Sequence, residues 1–221
     1  MTYAYSYALG LIFPAIVWLL IFILRRDLRR EMLIFSSLAA FFAPFLAYVH
    51  TFDWWHPQTI TGTVVGFEDF LYAFFICGIA TSIYQFIFKT KFSEGERVNV
   101  RIFYLLAIGF SFFVPLSLIF NSIVGFFVPA IVTLIFVLYH RPDLTKYALI
   151  SGVFVLFLGI PSYLLIEQIT PGWIVNTWFL ENFSGIFLFK IPFEEFVWHF
   201  LVGASMSVVY KYWTSSKELN K

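Results

Sequence analysis

Two adjacent carboxylates, Glu194 and Glu195, and a histidine four residues after the second, His199, lie in an otherwise apolar segment, Phe193 to Trp213. A carboxyl group in apolar surroundings tends to keep its proton, and a second carboxylate nearby separates the two proton affinities. Adjacent helical residues point about 100° apart, so we expect one glutamate to face a cavity and the other to face elsewhere. Glu195 and His199 share a helix face, where the histidine could orient the carboxylate or exchange a proton with it. The pattern predicts acid and base chemistry on an apolar substrate.

A second acidic pair, Glu68 and Asp69, lies 126 residues earlier and opens the apolar segment Phe67 to Phe88. Acids within membrane segments are expensive to place and are a functional-site hypothesis by default. We therefore predict Glu68, Asp69, Glu194, Glu195 and His199 as catalytic candidates. Aromatic rings near the acids could bind substrate and stabilise a developing cation; the candidates are Phe74, Phe196, Trp198 and Phe200.

The composition is that of an integral membrane protein. Of 221 residues, 61% are hydrophobic and only 12% charged, and the mean hydropathy is +0.86, against about 25% charged in soluble domains. The net charge of +1 gives no reason to expect nucleic acid as a partner. The sequence contains no glycine-rich nucleotide motif and no histidine pair at metal spacing on one face, so we predict no nucleotide, flavin or metal cofactor.

Apolar runs long enough to cross a bilayer predict seven transmembrane helices and an all-α fold. The predicted spans are Ala4 to Leu24, Met32 to Val49, Phe67 to Phe88, Ile102 to Phe120, Ile123 to Tyr139, Tyr147 to Ile166 and Phe193 to Trp213. Asn121 and Ser122 interrupt a nearly continuous apolar stretch, so the boundary between the fourth and fifth spans is the weakest signal.

Thirteen of the fourteen basic residues fall on one side of these spans. They are Arg25, Arg26, Arg29, Arg30, Lys89, Lys91, Arg97, Arg101, Arg141, Lys146, Lys211, Lys217 and Lys221, and the exception is Lys190. By the positive-inside rule that side is cytoplasmic, so the N-terminus is outside and the C-terminus inside. We expect an integral protein of the cytoplasmic (plasma) membrane, with both acidic pairs toward the outer leaflet. Trp54, Trp55, Trp173 and Trp178 would lie at the interface above them.

The chain also repeats itself internally. The segment from Gly10 to Val17 matches that from Gly125 to Val132, and Asp27 and Pro44 match Asp143 and Pro161. Spans one to three thus resemble spans five to seven, with the fourth as a connector. This predicts one membrane domain with a first repeat (1–90), a connecting helix (102–120) and a second repeat (123–214). Because one helix separates the repeats, they are parallel and related by an approximate two-fold axis along the membrane normal.

The residues Ser184 to Phe187 and Ile191 to Trp198 resemble the small membrane-bound lycopene cyclases. That family carries a proline-any-glutamate-acid motif in each of two three-helix units. The second motif is complete here as Pro192, Glu194 and Glu195, whereas the first has Gly66 in place of the proline. The resemblance covers essentially the whole chain in its three-one-three arrangement.

This resemblance implies an intramolecular lyase or isomerase that closes the acyclic ends of carotenoids into rings. A proton is added to the terminal alkene, a neighbouring double bond attacks the carbocation, and an adjacent carbon loses a proton, without net redox change. The expected partners are an apolar polyene or isoprenoid substrate and membrane lipid. The true substrate, the ring type, the number of ends that react, the proton-donating acid and the oligomeric state stay open at this stage.

Two blander interpretations compete with this one. Acids after a proline also make an ordinary helix N-terminus. His50, Asp53 and His56 are most simply outer-loop residues, and the alternative is that they line an entry path. A small-solute transporter with three-one-three parallel repeats is the alternative function, since Pro14, Pro44, Pro129 and Pro161 fit its proline pairs. Against a transporter, the predicted spans are poor in the polar residues that would bind a solute. A retinal-binding photoreceptor is disfavoured because the seventh span has no lysine at mid-membrane, Lys211 being at its end.

Overall fold

The computed structural model describes residues 3–93, 95–96 and 98–219. Arg97 and Lys221, two of the cations used above for orientation, lie outside the described residues. The described chain is mainly α-helical. Its helices are α1 (Ser6–Gly10), α2 (Ile12–Leu24), α3 (Arg29–His50), α4 (Phe67–Phe88), α5 (Asn99–Ile119), α6 (Ser122–His140), α7 (Thr145–Ile169), α8 (Trp173–Thr177) and α9 (Phe193–Trp213). The two-residue strands are β1 (Phe92–Ser93), β2 (Phe187–Leu188), β3 (Ile191–Pro192) and β4 (Lys217–Glu218).

In the described part of the chain, six helical segments are long and apolar enough to cross a membrane. They are Ser6–Leu24, Arg26–His50, Phe67–Phe88, Val100–Ile119, Ser122–His140 and Pro142–Ile169. The segment predicted as the seventh span forms the helix α9, with 21 residues. It is the least apolar of the seven because it carries Glu194, Glu195 and Lys211, and it is not among the six. An all-helical membrane protein is therefore confirmed.

The helix boundaries have local causes. The uncertain break between the fourth and fifth spans falls at Asn121, whose side chain caps α6 by accepting a hydrogen bond from the Val124 N–H at 2.9 Å. At the start of α4 the Asp69 side chain accepts from the Gly66 N–H at 2.8 Å. Gly66 thus stands where the motif described above has a proline. Asp69, in the first turn of the same helix, stabilises this helix start.

The two helices that carry the acids form the centre of the molecule. Helix α4 packs against α9, and α3 and α7 cover them from either side, while α5 packs mainly on α6. Small residues permit close helix contact: Ala204 is fully buried, and a Cβ at Gly203 would lie only 2.7 Å from the Ser151 carbonyl oxygen on α7. This packing places the first turns of α4 and α9 side by side at one end.

Residues that match in the sequence repeat make matched contacts. Arg25 binds Asp27 at 2.8 Å, and Arg141 binds Asp143 at 2.6 Å. The same guanidinium groups reach backbone carbonyls just beyond α4 and α9, Arg25 to Thr90 at 2.9 Å and Arg141 to Ser216 at 2.8 Å. Arg25 therefore joins the start of the second span to the segment after α4. Arg141 joins the start of the sixth span to the segment after α9 in the same way.

The two halves also pair directly at both ends of the bundle. At the basic end β1 runs antiparallel to β4, with Phe92 opposite Glu218. At the acidic end the loops meet in a bridge between Trp55 and Trp178. That bridge is flanked by hydrogen bonds from Phe179 N–H to the Trp54 carbonyl at 3.0 Å and from His56 N–H to the Thr177 carbonyl at 2.8 Å.

A buried ion pair lies at the basic end of the bundle, which is the end where most of the arginine and lysine residues are found. Lys211 on α9 is 1% exposed and binds Glu31 on α3 at 3.0 Å. Its ammonium also donates to the carbonyls of Thr81 and Ser207 at 3.2 and 2.9 Å. The lysine placed by the sequence at the end of the seventh span is therefore an internal contact between α9, α3 and α4.

Candidate active site

A cavity of about 120 Å³ lies at the acidic end, between the first turns of α4 and α9 and the two connecting segments at that end, residues 51–66 and 170–192, which are named the outer loops. Both halves of the chain contribute to its wall. The lining residues are Tyr7, Gly10, Ala43, Leu46, Ala47, His50, Trp54, Trp55, Asp69, Tyr72, Ala73, Phe126, Ser162, Tyr163, Ile166, Trp173, Glu195 and Trp198. Of the four predicted acids, Asp69 and Glu195 line this cavity, and they occupy matched positions in the two halves.

Glu195 is held by three donors from three parts of the chain. Its Oε1 accepts the indole N–H groups of Trp54 and Trp178 at 2.8 and 2.9 Å, and its Oε2 accepts the Tyr163 hydroxyl at 2.6 Å. Its side chain is buried, with 5% of the residue exposed. The carboxyl group is thus fixed in orientation before any substrate arrives.

Asp69 has a simpler set of partners. Its Oδ1 accepts the Tyr7 hydroxyl at 2.9 Å, and its Oδ2 accepts the Gly66 N–H at 2.8 Å. Both acids therefore share one arrangement: one oxygen receives an N–H group, which can only donate, and the other meets a tyrosine hydroxyl, which can donate or accept.

Glu68 and Glu194 turn away from this arrangement toward the outer loops. Glu68 Oε1 accepts the Ile60 N–H and Glu194 Oε1 accepts the Ser184 N–H, each at 2.7 Å. The second oxygen of each is buried without a hydrogen-bond partner. Adjacent acids thus diverge as their helical spacing predicts, with one of each pair on the cavity and the other holding a loop.

His199 reaches the backbone of Glu195 rather than its carboxylate. Its Nδ1 lies 2.7 Å from the Glu195 carbonyl oxygen, and its Nε2 lies 2.9 Å from the hydroxyl of Tyr72. A carbonyl oxygen can only accept, so Nδ1 carries a proton and, in the neutral ring, Nε2 accepts from Tyr72. The imidazole thereby orients a hydroxyl that lines the cavity.

The four predicted aromatic residues occupy different places. Trp198 lines the cavity and stacks on Tyr72 with ring centroids 5.8 Å apart. Phe196 is buried in the core beneath the outer loops. Phe74 packs beside Trp18, and Phe200 packs among the residues at the other end of the bundle. Of the four, only Trp198 reaches the described cavity wall.

Several residues that the structure places against the acids or on the cavity wall were not predicted as catalytic or substrate-binding residues. Trp54 and Trp178, expected at the membrane interface, are 3% and 4% exposed and turn inward. His50, interpreted as an outer-loop residue, lines the cavity and binds Ser122 through Nδ1 at 2.9 Å. The placement of Trp54 and Trp178 in the loops next to the two acidic pairs was the one available signal.

The site as a whole combines two fixed carboxyl groups with a wall of aromatic rings. Phe126 stacks on Trp198 at 6.0 Å, and Trp55 meets Tyr7 edge-on at 4.9 Å. Among the residues described, no group of three or more His, Cys, Asp or Glu side chains is arranged to hold a metal ion. Such a site can donate and accept protons and can stabilise a cation against ring faces.

Comparison with known proteins gives one family. The chain matches the family model described as lycopene cyclase over residues 3–87 and 121–213. No curated protein and no solved structure matches the chain. The two matched stretches contain both acidic pairs, the cavity wall and most of each half, and they leave out α5. The chain therefore belongs to the lycopene cyclase family.

Proposed function

We propose that the protein closes the acyclic end of a carotenoid into a ring by transferring protons within this cavity. Family membership supports carotenoid cyclisation in general terms. The observation that carries the specific proposal is that Asp69 and Glu195, at matched positions, line one aromatic cavity. The transporter alternative receives no support from the family match.

The architecture behind this proposal is two parallel three-helix repeats joined by α5. The matched Arg25 and Arg141 contacts support the repeats, as do the two antiparallel pairings between the halves. The family match supports them as well, because its two stretches are of similar length and omit α5. We further propose that the N-terminus is outside, that the basic end faces the cytoplasm, and that the protein resides in the cytoplasmic membrane.

The reaction needs one proton to be added and one to be removed. A carboxyl group protonates the terminal alkene and leaves a tertiary carbocation. The next double bond attacks this cation, which forms the ring carbon–carbon bond and moves the positive charge onto a ring carbon. Loss of a proton from a neighbouring carbon then restores a double bond, so the product is an isomer of the substrate.

Glu195 is the proposed proton donor, acting through Oε2. Its Oε1 receives two indole N–H groups, which cannot accept a proton, so the acidic proton can reside only on Oε2. The single partner of Oε2 is the Tyr163 hydroxyl, which can reverse its role when the carboxyl group is protonated. Asp69 is proposed to stabilise the positive charge from the opposite half, with Tyr7 holding its Oδ1.

The cavity has room for only a small part of a polyene. Its volume of about 120 Å³ is close to that of a cavity that takes up one benzene ring, about 150 Å³. The faces of Tyr72, Trp198 and Phe126 would contact the new ring and its cation. We therefore propose that one end enters at a time, while the rest of the chain lies between helices or in lipid.

Production in cells that make lycopene tests the function. We expect the pigment extract to contain a monocyclic or bicyclic carotenoid, and Glu195→Gln to lower its yield by at least about 100-fold, the range of general acid–base catalysis. Asp69→Asn should also lower it, by about tenfold or more, because a hydrogen-bonded charge contributes about 1.5–3 kcal/mol.

The control is Glu181→Gln, which makes the same chemical change at an exposed loop position and should leave the yield unchanged. Membrane content of each variant is measured by immunoblot. Unchanged lycopene with well-inserted wild-type protein would contradict the proposal. So would full activity of Glu195→Gln. Uptake of a polar solute into vesicles that contain the protein would favour the transporter instead.

A further inference from the structure

Four side chains form two hydrogen-bonded pairs at the cavity: Glu195 with Tyr163, and Tyr72 with His199. The Tyr163 hydroxyl lies 2.6 Å from Glu195 Oε2, and the Tyr72 hydroxyl lies 2.9 Å from His199 Nε2. Tyr72 and Tyr163 both line the cavity, so the two hydrogen-bonded pairs face the same space and form one series along its wall. The series thus begins at the oxygen proposed to carry the acidic proton and ends at an imidazole nitrogen that can accept one.

The imidazole is set up to accept at Nε2. Its Nδ1–H is bound to the Glu195 carbonyl oxygen at 2.7 Å, which fixes the neutral tautomer. The ring is 2% exposed, so bulk water does not compete for Nε2. Every hydroxyl between His199 and Glu195 can both donate and accept, which is what a proton relay requires.

We propose that Tyr72 removes the proton from the ring carbocation, supported by His199, and that Tyr163 returns it to Glu195. The inference rests on the proposed function, because it supplies the base that the cyclisation needs. Tyr72 is placed for this role: it lines the cavity and stacks on Trp198, where the new ring would lie. His199 acts only through Tyr72.

The protons balance over one turnover. Glu195 Oε2–H gives its proton to the alkene and becomes a carboxylate. The carbon next to the ring cation gives a proton to the Tyr72 oxygen while the Tyr72 hydroxyl proton moves to His199 Nε2. The imidazolium then returns a proton to Tyr72, Tyr72 passes one to Tyr163, and Tyr163 passes one to Glu195 Oε2. A tertiary carbocation is a strong acid, so a neutral hydroxyl with an acceptor behind it is a sufficient base.

Three members of the relay, Glu195, Tyr163 and His199, belong to the second half of the chain, and Tyr72 comes from α4 in the first half. In the alignment that matches Pro44 with Pro161, Tyr163 corresponds to Leu46, and in the alignment of the acids His199 corresponds to Ala73. Neither of these side chains can carry a proton. Asp69 therefore lacks a matched relay, and we assign the proton donor to Glu195 in the second half.

The test compares Tyr72→Phe and His199→Gln with wild-type protein in liposomes that contain lycopene. A tertiary ring cation has several neighbouring carbons that can lose a proton, each giving a different double-bond isomer. Without its base the cation should lose protons unselectively. We expect each variant to lower kcat by at least about 100-fold, to leave KM within about threefold, and to give a mixture of ring isomers by chromatography and NMR.

The matched control is Tyr84→Phe, the same change at a buried tyrosine on α4 that packs on Tyr147, outside the cavity wall; it should keep wild-type kcat and isomer ratio. Wild-type kcat in either test variant overturns the inference, and so does a lower kcat with an unchanged isomer ratio.

If Tyr72→Phe does not accumulate in the membrane, the result for His199→Gln alone decides. This variant keeps the Tyr72 hydroxyl and offers it an acceptor that cannot take a proton. Inactive Glu195→Gln alongside a fully active Tyr72→Phe would reject the relay and keep the proposed function, whereas active Glu195→Gln would reject both.

Discussion

Trp54 and Trp178 donate their indole N–H groups to the same atom, Oε1 of Glu195, at 2.8 and 2.9 Å. One tryptophan comes from the outer loop of the first half and the other from that of the second. Because the two loops also pair through their backbones, the position of a single carboxyl group depends on contact between the halves.

Replacing either tryptophan by phenylalanine should reduce cyclisation. Each of Trp54→Phe and Trp178→Phe removes one donor to a buried carboxyl oxygen, a loss of about 1.5–3 kcal/mol, or about 10- to 150-fold in rate if it falls on the reacting state. Because the two donors share one acceptor, the losses in the double variant should not add. Initial rates of the two single variants and the double variant measure this coupling.

Trp173→Phe is the matched control. The Trp173 indole nitrogen is buried and has no hydrogen-bond partner, so the same substitution removes no bond and should cause a clearly smaller loss. A loss at Trp173 as large as that at Trp54 would show that ring size, not the N–H group, controls the rate. Strict additivity of the Trp54 and Trp178 effects would contradict the shared acceptor.

The helices that carry the acids could be predicted from the sequence to the residue. Spans Phe67 to Phe88 and Phe193 to Trp213 coincide with α4 and α9, because an acidic first turn follows a glycine or proline at each start. The sixth span, predicted over Tyr147 to Ile166, is longer in the structure, since α7 runs over Thr145–Ile169. The polar residues Thr145 and Lys146 before the apolar stretch and Glu167 and Gln168 after it are also helical.

The inner partners of the acids could not be predicted. A tryptophan in a loop next to a span is typically an interfacial anchor, and nothing in its local sequence distinguishes one that turns inward. Trp54 turns inward because the two outer loops pair across the molecule, through the bridge between Trp55 and Trp178 far apart in the sequence. His199 was placed on the correct helix face by its spacing, but its bond to a backbone carbonyl depends on ring orientation.

Adding one carbon at Gly159 should disable the histidine. A Cβ at Gly159 on α7 would collide with the His199 imidazole at Nε2, Cδ2 and Cε1. Overpacking of this kind typically costs about 1–3 kcal/mol, and relief of the clash would move Nε2 away from Tyr72. We expect Gly159→Ala to lower activity by tenfold or more. Full loss of general-base catalysis would cost about 100-fold or more, and a displaced histidine should lose a large part of that contribution.

The control for Gly159→Ala is Gly109→Ala on α5, where a Cβ would have no other heavy atom within 4 Å. Activity there should be unchanged, and thermal stability in detergent should stay equal or rise slightly because alanine favours a helix over glycine. Wild-type activity of Gly159→Ala would contradict the close packing of α7 on His199.

The buried pair of Lys211 and Glu31 should govern stability rather than chemistry. Removing one partner leaves a buried charge, which costs about 3–5 kcal/mol, whereas replacing both with apolar groups of similar volume is often neutral. We expect Lys211→Met to lower the thermal midpoint strongly and the double variant Lys211→Met, Glu31→Leu to recover much of it.

Asp143→Asn is the contrasting control. The side chain of Asp143 is 58% exposed in its pair with Arg141, and exposed pairs contribute only about 0–1 kcal/mol.

Charge removal should separate the two members of each acidic pair. In Glu68→Gln and Glu194→Gln the amide oxygen can still accept the loop N–H of Ile60 or Ser184, so the loops should stay in place and activity should remain within about tenfold of wild type. Glu195→Gln loses the proton donor itself and should fall by at least about 100-fold. Glu68→Ala and Glu194→Ala remove the acceptor and should lower the thermal midpoint, because a hydrogen bond to a charged group contributes about 1.5–3 kcal/mol. Pigment analysis of all five variants at equal membrane content measures whether each acid acts in the reaction or only holds a loop.

If Glu194→Gln were as inactive as Glu195→Gln while folding normally, Glu194 would take part in the reaction, and the proposal that it only holds a loop would be wrong.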